Sequence, residues 1–88
     1  MDKYYLLTFE NTHRAMKGEE VLKKNNIKIV IMPTPTHITK SCGISIKFDD
    51  INYDDVKRLL ENGELIIKGI FIKEGGEFKD ISYIERIK

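Results

Sequence analysis

Tryptophan is absent from this 88-residue chain, cysteine occurs once and proline twice. A lone cysteine, Cys42, cannot close an internal disulfide, and this agrees with a reducing compartment. No C-x-x-C pair is present for dithiol redox work. One cysteine and two separated histidines do not give the paired ligand spacing of a zinc site, so neither a metal nor a cofactor is expected. Apolar runs such as Ile29-Val30-Ile31-Met32 are far shorter than the roughly 20 residues that span a bilayer. The start, Met1-Asp2-Lys3-Tyr4-Tyr5, enters a strand pattern without a signal-peptide layout. The expectation is a cytoplasmic protein without a membrane segment. Charge of one sign is also missing: 15 basic against 14 acidic residues leave a formal net charge of +1. No overall field therefore draws the chain to nucleic acid or an anionic membrane.

What is present is enough for one small domain, which at this size buries about 60% of its unfolded surface. Tyr4 to Phe9 is aromatic and branched, and reads as a strand buried on much of both faces. Asn11 or Thr12 can cap a helix that puts Ala15, Gly18 and Leu22 on one stripe. Gly18 costs roughly 1 kcal/mol against alanine in a helix interior, so it marks a close approach of backbone to sheet. Asn25 and Asn26 stop this helix. Ile27 to Met32 is a second strand, ended by Pro33 and Pro35, which cannot donate ladder bonds. Ile44, Ile46 and Phe48 alternate with Ser45 and Lys47, the period of a strand with one face on the core and one toward water.

A second helix starts at Asn52 or Tyr53, turns Val56, Leu59 and Leu60 inward and stops at Gly63. Ile66 to Ile72 is a fourth strand. The order strand, helix, strand, strand, helix, strand is that of the ferredoxin-like βαββαβ sandwich, an α+β fold with two helices on one face of an antiparallel sheet. Residues 1–72 are read as this domain and residues 73–88 as an extension. There Gly75-Gly76 marks a turn, and Phe78, Ile81, Tyr83, Ile84 and Ile87 suit an extra strand or a partner-binding tail. Met16 and Met32 are read as core fillers, and Lys57, Arg58 and Glu61 as a solvated helix face.

If the chain carries chemistry, Cys42 is its best candidate. A thiol at neutral pH is only a few per cent ionised, so a working cysteine needs a device that stabilises the anion. Backbone N–H groups around Ser41, Cys42 and Gly43 can form an anion nest; Lys40 adds a positive charge, and His37 adds a charge or a base. Against this, Cys42 is in step with Ile44, Ile46 and Phe48, so a strand already formed at residue 42 would turn the sulfur into the core. Both readings stay open on spacing alone. His13, in the first turn of a helix, is read as a capping or packing residue.

Tyr4 to Phe9, Thr12-His13 with Ala15-Met16, Gly18-Glu19 and Leu22, then Pro33-x-Pro35 and Ser41-Cys42-Gly43 leading into Ile44 and Phe48 together resemble the DUF3343 family of selenium/sulfur (Se/S) carrier protein-like chains. The resemblance covers roughly residues 3 to 72. Its most specific part is the Pro-x-Pro approach to Ser-Cys-Gly. Where family members commonly carry an arginine after the second proline this chain has Thr36, and Lys40 stands where a small residue is usual. The resemblance implies a carrier rather than a turnover enzyme, in which Cys42 accepts sulfur or selenium as a persulfide-type adduct and hands it on. Its partners would be donor and acceptor proteins, such as a cysteine desulfurase. Two rival readings remain: a noncatalytic ligand-binding or interaction module of the same fold, which could pair as a homodimer through sheet edges, and a thiol redox sensor.

Overall fold

The computed structural model describes residues 3–34 and 43–81, and its central strand is the one whose sequence is apolar on both faces. β1 (Tyr4–Thr8) lies between β3 (Ile44–Asp49) and β4 (Gly69–Glu74), antiparallel to both. β2 (Ile29–Pro33) pairs with β3, and β5 (Glu77–Asp80) pairs with β4, giving the order β2-β3-β1-β4-β5. Thus β1 and β2 are parallel with β3 inserted between them, and β3 and β4 are parallel with β1 inserted. This is the pair of interleaved split βαβ units of the ferredoxin-like α+β fold. The fifth strand is added at one edge. It follows a two-residue turn in which Gly75 and Gly76 have φ of +63° and +84°, the left-handed pair that a tight hairpin requires.

Helix α1 (Thr12–Lys24) starts at Asn11, whose side chain accepts from the Arg14 N–H at 2.9 Å. It ends where Asn26 takes φ +61°. The N–H of Ile27 then donates to the Leu22 carbonyl and that of Asn26 to Lys23, the paired bonds of a Schellman stop. After a single 3-10 turn at Asp50–Asn52, helix α2 (Tyr53–Glu61) ends the same way. There Gly63 has φ +78°, and Gly63 and Glu64 donate to Leu60 and Leu59.

Both helices cover one face of the sheet. Ala15 and Leu22 of α1 and Val56 and Leu59 of α2 form a single cluster with Tyr5, Leu7, Ile46, Phe48 and Ile70. Tyr5 is held between two rings, Phe48 at 5.2 Å and Tyr53 at 4.7 Å, and its hydroxyl donates to Asp50 at 3.0 Å.

Gly18 is where α1 comes closest. A Cβ there would lie 2.8 Å from Cε2 and 2.9 Å from Cζ of Phe9, a fully buried ring. Gly18→Ala is therefore expected to destabilise the protein by about 1–3 kcal/mol in urea unfolding, although helix propensity alone predicts a gain of roughly 1 kcal/mol. A more stable variant would mean that Phe9 moves aside freely.

Three sequence expectations are corrected. Met16 does not fill the core: it lies on the outer side of α1, 61% exposed, because the inward stripe is already closed by Ala15, Gly18 and Leu22. The fourth strand starts at Gly69 rather than Ile66, since Lys68 donates to the Thr8 carbonyl and only then does the β1 ladder begin. The side of β3 away from the helices is not simply wet, because Ser45 is fully buried there, as are Leu6 and Thr8 of β1. On that same side Lys47 lies 4.6 Å over the Tyr4 ring, and Tyr4 meets Phe78 edge-on.

Candidate functional site

The sequence directs attention to the β2–β3 connection. Its base is well defined: Pro33 pairs with Ile44, and one step further the Thr34 N–H donates to the Gly43 carbonyl at 2.9 Å. Gly43 is exposed with φ +88°, and a Cβ built on it would meet nothing within 4 Å. Its glycine is thus required by backbone conformation, not by crowding. β3 begins only at Ile44. The alternation that holds from Ile44 to Phe48 cannot be extrapolated through a left-handed residue, so it no longer assigns Cys42 to the core face. His37, Lys40, Ser41 and Cys42 themselves lie outside the described residues, and Gly43 is the one proposed site residue that falls within them.

Beneath this base runs a row of hydroxyls on the side of the sheet away from the helices. Thr34 Oγ1 and Ser45 Oγ lie 2.5 Å apart, and Thr8, directly opposite Ser45, donates through Oγ1 to the Gly69 carbonyl at 3.3 Å. Burial of Ser45 and Thr8 is tolerable because each hydroxyl finds a partner. Neither residue stands out from the sequence as a candidate for chemistry. Their signal was present, in that two small hydroxyl residues occupy strand positions otherwise filled by apolar and long side chains.

Topology brings a second feature to the same end of the sheet. β1 runs toward that end, finishes at Thr8 and leads through Phe9 to the cap of α1 at Asn11, while β2 runs toward it and finishes at Pro33. The positive end of the α1 dipole therefore opens at the sheet end that carries Thr34 and Gly43. No acidic residue occupies the first turn, which holds His13 and Arg14. His13 is neither the cap nor a core residue: it is exposed, and with Arg14 and Lys17 it lines a shallow cleft of about 200 Å³ against Glu64 to Ile66. Among the described residues no group of three or more His, Cys, Asp or Glu is arranged to hold a metal ion. None of their helices is long and apolar enough to cross a membrane.

Residues 4–72 match the protein family described as "Putative Se/S carrier protein-like". The chain belongs to this family. The match covers β1 through most of β4, including the whole β2–β3 connection with its single cysteine. A curated relative, "Uncharacterized protein MJ0011" of Methanocaldococcus jannaschii, is 35% identical over 60 residues, 68% of this chain. The aligned part is 30% of that protein's length, so the Se/S carrier-like chain spans under a third of it. No solved structure matches the chain.

Proposed function

We propose that this Se/S carrier-like protein is a sulfur or selenium carrier whose working atom is the Cys42 thiolate, and that residues 1–72 form the carrier domain. The observation that carries the reading is the left-handed Gly43 next to Cys42, which separates the cysteine from the regular part of β3. The sequence neighbours of Cys42, Ser41 and Gly43, carry small side chains. The positive end of α1 opens at the sheet end that carries the base of this connection, and Lys40 and His37 are near Cys42 in sequence, each a device that would favour a thiolate.

Such a group needs no cofactor. The Cys42 thiolate attacks the outer sulfur of a donor persulfide, R–S–SH. A bond forms between Cys42 Sγ and that sulfur, the donor S–S bond breaks, and its electron pair leaves with the donor thiolate. The proton stays on the transferred sulfur, and no net oxidation occurs. An acceptor thiolate repeats the step in the other direction. A selenium atom in the outer position follows the same electron count. Partner contacts supply the specificity that a single thiol lacks.

Incubation with a cysteine desulfurase and cysteine is expected to add the mass of one sulfur to Cys42. The reading fails if the protein stays unloaded while a known carrier in the same mixture is loaded. Alkylation of the folded protein is expected to be fast, with a midpoint below the ordinary thiol value of about 8.5, and Lys40→Ala is expected to raise that midpoint. A second reading, a noncatalytic protein-interaction module, is favoured by one observation, the uncharged and part-exposed outer strand β2.

A further inference from the structure

Among the described residues the sheet has two outer strands, and their chemistry differs. β5, Glu77-Phe78-Lys79-Asp80, is short, and three of its four residues are charged, the usual protection of an exposed edge. β2, Ile29-Val30-Ile31-Met32-Pro33, has no charged residue at all, and Val30 and Ile31 are 52% and 44% exposed. The ladder also determines which backbone groups of β2 are available. Thr34 bonds to Gly43, and inward bonding alternates along an antiparallel pair, so Met32 and Val30 point their N–H and C=O groups at β3. Ile29, Ile31 and Pro33 point theirs away from the sheet. Pro33, which has no N–H to offer, occupies an outward position, where its lack costs the β2–β3 ladder nothing.

We propose that β2 pairs antiparallel with β2 of a second copy of this chain, about a two-fold axis through Ile31 and perpendicular to the sheet. That operation keeps the helices of both copies on one side and joins the two sheets into one. Only even residue sums keep facing side chains on the same side of the joined sheet. A sum of 62 sets Ile31 opposite Ile31, with both outward N–H groups donating to the opposite Ile31 carbonyl. Val30 then faces Met32, and Ile29 faces Pro33, where the Ile29 N–H donates to the Pro33 carbonyl but Pro33 has no N–H to return; every pair in the five-residue strand is apolar. In a second copy the uncharged strand meets an equally uncharged strand in an isologous contact, with no charged residue at any of the five paired positions. One consequence bears on the carrier reading without depending on it: Lys28 of each copy lies opposite Thr34 of the other, at the base of the connection that holds Cys42.

Sedimentation velocity of the full chain is expected to show a concentration-dependent dimer. Ile31→Lys, which sets two ammonium groups against each other at the axis, is expected to weaken it by more than about tenfold. Amide hydrogen exchange of the unaltered protein gives a readout that does not depend on how the variant folds. The Ile31 amide is expected to be protected at high concentration and to exchange fast on dilution, while Val30 and Met32 stay protected at both. A monomer at all concentrations would overturn the proposal. So would a dimer that survives Ile31→Lys, or an Ile31 amide that exchanges fast within the dimer. Sulfur loading of Cys42 is scored separately, so failure of the dimer and failure of the carrier reading are distinguishable.

Discussion

Phe48→Ala is expected to cost about 3–5 kcal/mol in urea unfolding, the range for deleting a buried aromatic ring into a site that cannot fully collapse. Phe48 is buried on the helix-covered face, stacked on Tyr5, which is itself stacked on Tyr53 at the start of α2. Removing one ring leaves the second without its support, and the cavity lies between a rigid sheet and a helix. Native domains hold only roughly 5–15 kcal/mol in total, so a chain of this length loses a large share of its stability. A fall in Tm of at least about 12 °C follows from the usual slope for domains of this size. Tyr5→Phe is the informative contrast, because it keeps the ring stack and removes the hydroxyl that donates to Asp50, at a cost of about 1 kcal/mol. Equal costs for the two would mean that the hydroxyl, not the ring stack, holds this part of the core.

Cys42→Ser is expected to have the opposite profile: complete loss of sulfur acceptance, with unfolding free energy changed by less than about 1 kcal/mol, as for surface substitutions. A serine hydroxyl is close in shape but does not ionise near neutral pH and forms no persulfide. The alternative reading, a cysteine packed in the core, makes a different prediction, since burying an unpartnered hydroxyl costs about 1–3 kcal/mol. Measuring loading and stability on the same sample therefore separates the two. A variant that is strongly destabilised would place the sulfur among core side chains and withdraw the carrier proposal.

Much of the fold was legible because its signals are local. The Ala15, Gly18 and Leu22 stripe, the cap at Asn11, the stop at Asn26 and Gly63, and the Gly75-Gly76 turn each depend on residues within a few positions of one another. Helix and strand periods then assigned most core positions, including Ile46, Phe48, Val56 and Leu59. Met16 escaped this logic because apolar character alone does not say on which side of a helix a residue falls once the inward stripe is complete. For the site, the sequence singled out Cys42, yet its alternation with Ile44 and Ile46 argued for burial. A single backbone angle at Gly43 removes that argument, and a period cannot reveal an angle.

The amino-acid sequence by itself determined the elements, their order, their caps and the family, since each rests on short-range geometry or on motif spacing. Tertiary structure alone decided what depends on pairing between distant strands. Insertion of β3 between β1 and β2 buries Ser45 beside Thr8, although alternation along β3 points Ser45 toward water. The same strand order leaves the uncharged β2 at one edge and the charged β5 at the other. It also brings the start of α1 and the base of the Cys42 connection to one end of the sheet. Long-range register is decided by the sum of many weak contacts over the whole sheet, and no window of neighbouring residues contains that sum.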